Sequence, residues 1–186
     1  MGWGIGALHI GAVIWGIHGC WLDFAYRRLP NWWLACGAAL LFIGAFIGVV
    51  AVPANAAYPT SAGIDTALVM ATVMPMALGS VLWFSIYFLP FMLSPTAIGA
   101  GDVKLAALLG GGIGLIVGAP AATAIWTCCA VVLAAVFTLV VAVASSLLAG
   151  PGGRRQARID AMRRKTIAHG PAMMASVAVV WAIAAG

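Results

Sequence analysis

The sequence predicts an all-α membrane protein, a polytopic bundle of about six transmembrane helices with both termini extracytoplasmic. Apolar residues make up 65% of the 186 residues, and charged residues only 7%. Soluble domains carry about 25% charged residues, because their surfaces face water. The apolar residues form runs close to the roughly 20 residues that a helix needs to cross a bilayer. We therefore expect one transmembrane domain over residues 1–186.

The first two helices are predicted over residues 3–23 and 32–52. A short polar segment separates them, and its Pro30 disfavours the continuation of a helix, so a tight turn is expected there. Paired tryptophans at the start of the second helix are typical of the membrane interface. The N-terminus lacks the basic stretch of a cleavable signal peptide, so the first helix is expected to be permanent.

The third and fourth helices are predicted over residues 64–89 and 102–118. A loop at 53–63 precedes the third helix, and a loop at 90–101 precedes the fourth. Pro75 lies inside the third helix and predicts a kink there.

The last two helices are predicted over residues 121–148 and 171–185, the second of them short for a bilayer. Pro120 marks a very short turn before the fifth helix. Between the two helices lies the extended hydrophilic segment of the chain, residues 150–170.

The basic residues predict the orientation. With six spans, the segments 24–31, 90–101 and 150–170 fall on one side of the membrane, and all nine basic residues lie in or beside them. These residues are Arg27, Arg28, Lys104, Arg154, Arg155, Arg158, Arg163, Arg164 and Lys165. The positive-inside rule makes that side cytoplasmic. The basic segment is expected to bind anionic lipid headgroups, and the net charge of +5 indicates a membrane surface rather than nucleic acid.

Two of the four acids are candidates for chemistry. Asp23 and Asp102 each lie at a predicted membrane helix end on the cytoplasmic side, where an ionisable group is costly and indicates function. Asp65 and Asp160 are interpreted as a helix-start charge and a solvated charge. Two acids at the same depth can share a proton. One then takes a proton from water while the other polarises a peptide carbonyl, which is peptide hydrolysis without metal, thiol or serine.

The helix dipoles favour Asp23 as the acid and Asp102 as the base, because Asp23 ends a helix and Asp102 begins one. Arg27 reverses this assignment if the first helix continues through it. The shared proton belongs to the pair in either case.

Gly99 and Gly101, which precede Asp102, indicate access for a peptide. Glycine has no Cβ and lets another backbone approach closely. A peptide substrate must enter extended, because a helix hides its amide bonds. The chain has 23 glycines, so a glycine pair before an acid is weak evidence by itself. It indicates a catalytic site here because Asp102 lies at a membrane boundary and a second acid lies at the matching boundary.

The run GAGDVK at residues 99–104 resembles the GxGDxK signature of bacterial prepilin peptidases. Asp23, followed by a basic residue and a Leu-Pro-Asn turn, resembles the first aspartate motif of that family. The chain is similar to the short form of type IV prepilin peptidases, found with Flp/Tad-type pili, and to archaeal preflagellin peptidases. The resemblance implies an aspartic endopeptidase of the cytoplasmic membrane that removes the short basic leader of pilin-like precursors (prepilins) at the cytoplasmic face.

The resemblance also implies roles for particular residues. Catalysis is carried over to Asp23 and Asp102. Substrate-binding or supporting roles are carried over to Gly99, Gly101, Lys104, Arg28, Pro30 and Asn31. Both basic residues also have a simpler interpretation: Lys104 contacts lipid headgroups, and Arg28 is part of the charge pattern that sets the topology.

No metal and no cofactor are expected. The long form of the family carries an N-terminal domain with two CxxC pairs and methylates its product, and this sequence has neither such pairs nor a Cys/His cluster with metal-ligand spacing. The cysteines are interpreted as small apolar side chains, at Cys20, Cys36, Cys128 and Cys129. The three histidines, His9, His18 and His169, have no other ligand-type residues near them in sequence.

A second function class competes with the peptidase. A non-catalytic membrane scaffold or a small transporter would use the aspartate pair to bind a proton or a cation. Transporter sites lie near the bilayer midplane, whereas both acids are predicted at the cytoplasmic boundary. The sequence therefore favours the peptidase.

Overall fold

The computed structural model describes residues 2–26, 29–51, 66–94, 98–148 and 169–184. In these segments the chain forms six α-helices and no strands. The helices are α1 (Gly2–Tyr26), α2 (Asn31–Ala51), α3 (Thr66–Leu93), α4 (Ala100–Val117), α5 (Pro120–Leu148) and α6 (Gly170–Ala184).

Most of the helices have the length and the apolar composition of membrane spans. Among the described residues, four stretches are long and apolar enough to cross a bilayer, and α6 is a shorter apolar helix. The four are Asn31–Val50, Val69–Leu93, Ala100–Val117 and Pro120–Ser145. Large apolar side chains point outward along them, among them Phe46, Leu139 and Val141. A soluble protein does not expose so much apolar surface, so the predicted all-α membrane bundle is confirmed.

Several helix boundaries differ from the prediction. Helix α3 does not stop before Pro90 but continues to Leu93, because the Pro90 carbonyl still accepts a hydrogen bond from Ser94 N at 2.8 Å. Helix α5 begins at Pro120, since the first helical position needs no N–H donor. Pro75 lies inside α3 as predicted. The predicted loop at 53–63 and residues 150–168 lie outside the described residues.

Stacked tryptophans join α1 to α2. The rings of Trp15 and Trp33 are parallel within 5° with centroids 4.0 Å apart, and Trp15 Nε1 donates to the Trp33 carbonyl at 2.9 Å. Each ring lies over a glycine of the other helix, at Gly37 and Gly19, where an added Cβ would clash with it. This close pairing sets how α1 and α2 approach each other.

Glycines bring α3 and α4 into backbone contact. A Cβ added at Gly79 would clash with the Gly110 carbonyl, and one at Gly110 would clash with the Gly79 carbonyl. The same holds one turn further on, where Gly114 faces the Pro75 carbonyl. Small residues spaced by four are the usual means of close helix packing in membranes.

Helix α4 is the most enclosed span. In α4, 44% of the residues of the span are buried, against 17% to 22% in the other three candidate spans. Its fully buried Leu105 and Ala106 belong to a core that also includes Trp83 of α3 and Met173 of α6. The bundle is therefore organised around the helix that begins beside Asp102.

Candidate active site

Charged side chains gather at one end of the bundle. Within the described segments they are Asp23, Asp102 and Lys104, and each lies in the last turn of α1 or in the first two turns of α4. Side-chain contacts join the end of α1 to the start of α6 and the start of α2 to the start of α4. The termini of these helices therefore meet in one layer, far from the middle of the spans.

Asp23 is buried, with 6% of its surface exposed, although it lies in the last turn of the apolar helix α1. Its Oδ2 accepts a hydrogen bond of 3.1 Å from the backbone N–H of Gly170, the first residue of α6. A Cβ on Gly170 would lie only 2.8 Å from the same oxygen. The carboxyl therefore occupies the space that a side chain at position 170 would fill.

Asp102 is the third residue of α4, not its first as predicted, and it is partly buried. Gly99 is the N-cap, with extended backbone angles (φ −73°, ψ 143°), and its carbonyl accepts a hydrogen bond from Asp102 N at 3.0 Å. The Asp102 carboxyl folds back over this cap, since a Cβ on Gly99 would lie 3.4 Å from Oδ2. Asp102 thus has the position that acids favour at helix starts.

The two carboxyl groups are close enough to interact electrostatically. They come from α1 and α4, 79 positions apart (102 − 23) in the chain. Two acids that feel each other's charge in a poorly solvated place are less costly when one is protonated. Such a pair holds both a proton acceptor and a proton donor, which is what general acid–base chemistry requires.

The start of α4, which carries Asp102, is also tied to the start of α2. Lys104 Nζ donates to Asn31 Oδ1 at 3.1 Å, which joins the start of α4 to the start of α2. Pro30 caps α2, because its carbonyl accepts hydrogen bonds from Trp33 N and Leu34 N at 3.1 and 3.2 Å. Lys104 thus has a protein partner, in addition to the headgroup contact expected from the sequence. Arg28 lies outside the described residues.

Gly101 contacts the turn before α2. A Cβ at this position would lie 3.7 Å from Leu29 Cβ and 4.0 Å from Leu29 N, which is ordinary van der Waals contact. Packing within the protein therefore does not demand glycine at position 101, and the small residue leaves room beside Asp102 instead.

Two further side chains, Tyr87 and His169, interact electrostatically with the acids, and the sequence did not single them out for this site. His169 Nδ1 lies 3.0 Å from Thr138 Oγ1, whose own proton is donated to the Ala134 carbonyl at 2.8 Å. A hydroxyl has one proton, so His169 Nδ1 is the donor in this contact. The Tyr87 ring meets the His169 ring edge to face at 6.3 Å, and Tyr87 also interacts electrostatically with Asp102.

Burial lowers the pKa of His169, and the nearby Asp23 carboxylate opposes this shift. The interpretation of His169 from sequence considered only a metal ligand, and it missed this packing role. The available signal was its place before Pro171, since proline favours the first turn of a helix. A helix that starts on the side of the two acids directs its free N–H groups at them.

Comparison with known proteins identifies the family. The model of the type IV leader peptidase family matches residues 10–150, a stretch that contains both aspartates and α2 to α5. No curated protein and no solved structure matches the chain. The matched stretch covers most of the 186 residues. The chain therefore belongs to the type IV leader peptidase family, and it is a membrane-embedded peptidase of that family.

Proposed function

We propose that the protein is a membrane aspartic endopeptidase in which Asp23 and Asp102 act as one catalytic pair. The observation that carries this proposal is the electrostatic interaction between a buried acid at the end of α1 and an acid in the first turn of α4. No other acid lies within the described residues. Peptide hydrolysis by two carboxyl groups needs both at one place, one of them protonated.

The reaction follows from the two protonation states. The carboxylate accepts a proton from a water molecule as the water oxygen attacks the scissile carbonyl carbon. The carboxylic acid donates its hydrogen to the carbonyl oxygen, which becomes a hydroxyl of the tetrahedral intermediate. The C–N bond then breaks as the protonated member of the pair donates its proton to the amine nitrogen, while the other member accepts the proton of one hydroxyl of the intermediate, which becomes the new carboxyl group. The pair returns to a singly protonated state and is ready for the next substrate.

The substrate class follows from the family together with the place of the acids. The substrate is a pilin-like precursor with a short basic leader, cut where its apolar helix leaves the membrane. The basic residues of the chain support the cytoplasmic face as the site of cleavage, since Arg27, Arg28 and Lys104 flank the two acids in sequence. The glycines before Asp102 leave room for an extended peptide, because Gly101 has no packing partner that requires it to be small.

Single Asp23→Asn and Asp102→Asn changes test the proposal on a pilin-like precursor in membrane vesicles. The Asn side chain keeps an oxygen that can accept the Gly170 N–H, so the helix ends should stay in place. It carries no exchangeable acid proton, so each change alone should abolish cleavage. The double variant should be no worse than either single one, because residues that act as a unit are not additive.

Asp65→Asn and Asp160→Asn are the matched controls and should cleave the precursor as the unchanged protein does. Cleavage at the normal rate by either pair variant would refute the aspartic mechanism. The scaffold or transporter alternative would then explain the acids, although both lie at helix ends rather than at the midplane where transporters bind their ions.

A further inference from the structure

The structure assigns a positioning role to Gly170, at which the N-terminus of α6 holds the Asp23 carboxyl in place. This inference rests on the proposed function, because it concerns how one member of the catalytic pair is oriented. It concerns a residue 147 positions from Asp23 in the chain and outside the family match at 10–150.

The first step is the need of α6 for an acceptor. Met173 N donates to the His169 carbonyl at 3.1 Å, so His169 is the N-cap and Gly170 the first helical residue. The N–H groups at a helix start have no partner within the helix. The Gly170 N–H is the outermost donor of the helix, and the next residue, Pro171, has no N–H to offer in its place. It donates to Asp23 Oδ2, and the carboxyl thereby caps a helix remote from its own.

The second step is the steric requirement. Gly170 is buried, and a methyl group there would lie 2.8 Å from Asp23 Oδ2 and 3.2 Å from Asp23 Cγ. These atoms belong to a short side chain that is itself buried, so the carboxyl has to move to make room. Alanine at position 170 would therefore displace Asp23 from the Gly170 N–H.

The third step is the anchoring of the donor. His169 is held by Thr138 of α5 through Nδ1 and packs against Tyr87 of α3. The start of α6 is thus fixed to α3 and α5 before it meets α1, and a fixed donor can orient the carboxyl it holds. The positive end of the α6 dipole also favours a negative charge at this place.

The test is Gly170→Ala, with Gly112→Ala as the matched control, because a methyl group at Gly112 meets nothing within 4 Å. Gly170→Ala should lower kcat by about 10- to 100-fold, since small displacements of a reacting group have effects of this size. KM should change little, because the added methyl group displaces Asp23, which acts in the chemical step rather than in substrate binding. Gly112→Ala should leave both constants unchanged.

A thermal-unfolding cycle in detergent separates this role from general damage to the fold. In the Asp23→Ala background the carboxyl is absent, so adding Gly170→Ala should lower the unfolding midpoint much less than it does in the unchanged protein. This comparison remains informative if Gly170→Ala alone folds poorly, since the double variant should then fold better.

An unchanged kcat, a change in KM alone, or an additive cycle would overturn the inference. If Gly170→Ala is fully active while Asp23→Asn is inactive, the positioning role fails and the proposed function stands. If Asp23→Asn is active, the proposed function itself fails.

Discussion

Gly110 and Gly112 stand two residues apart in α4, yet an added methyl group meets different surroundings at each. At Gly110 it would clash with the backbone carbonyl of Gly79 and come within 3.1 Å of Trp83 Cβ, whereas at Gly112 it meets nothing within 4 Å. We therefore predict that Gly110→Ala destabilises the bundle and that Gly112→Ala does not.

The size of the difference follows from two effects. Alanine gains about 0.5–1 kcal/mol over glycine within a helix, and both variants share this gain. Gly110→Ala must also separate α4 from α3 by roughly 1 Å to restore van der Waals contact. Overpacking of this kind costs about 1–3 kcal/mol. The difference in stability between the Gly110→Ala and Gly112→Ala variants is therefore this overpacking cost. For globular proteins of this size, such a cost corresponds to a difference of roughly 2–12 °C in the unfolding midpoint.

Thermal unfolding of both variants in the same detergent measures the difference directly. Peptide cleavage gives a second measure, because α4 carries Asp102 and a displacement of roughly 1 Å can cost about 100-fold in rate. Equal midpoints for the two variants would refute the backbone contact between α3 and α4. A lower midpoint for Gly112→Ala than for Gly110→Ala would do the same.

Two further predictions concern pH and orientation. Burial lowers the folded-state pKa of His169 below its ordinary value of about 6.5, so the folded protein binds fewer protons than the unfolded chain just below that pH. Its contribution to stability should be present above about pH 6.5 and lost as the pH falls toward the lowered pKa. His169→Asn, which does not titrate, should show a smaller fall in unfolding midpoint between about pH 7.5 and about pH 5.5. Parallel profiles would contradict the lowered pKa of His169. A reporter fused after Ala57 should be located outside the cytoplasm, and one fused after Gly153 should be located in the cytoplasm. Location of both reporters on the same side would contradict the six-span topology.

The sequence alone determined that the chain forms membrane helices. Helix formation in a bilayer depends on composition and length, since every backbone polar group must be satisfied inside its own segment. Proline was a less reliable guide to the helix ends. Helix α3 passes through Pro90, because a membrane helix tolerates a missing N–H when the remaining backbone groups still find partners.

The candidate pair could also be predicted, because charge is rare in this chain and each acid within a helix is costly. Two acids at helix ends that the charge pattern placed on one side of the membrane were enough to single out Asp23 and Asp102. The local signals agreed, since Gly99 caps the helix whose first turn contains Asp102.

Only the tertiary structure decided what surrounds those acids. Gly170 lies 147 residues from Asp23, and no local pattern relates them. Three consecutive glycines in α4 read alike in sequence, but Gly110 faces the backbone of α3, while a Cβ on Gly112 meets nothing within 4 Å. Contacts of this kind depend on how the helices rotate and approach one another. Composition and periodicity determine that an apolar helix forms in the membrane, but packing between helices determines which of its faces touches which neighbour.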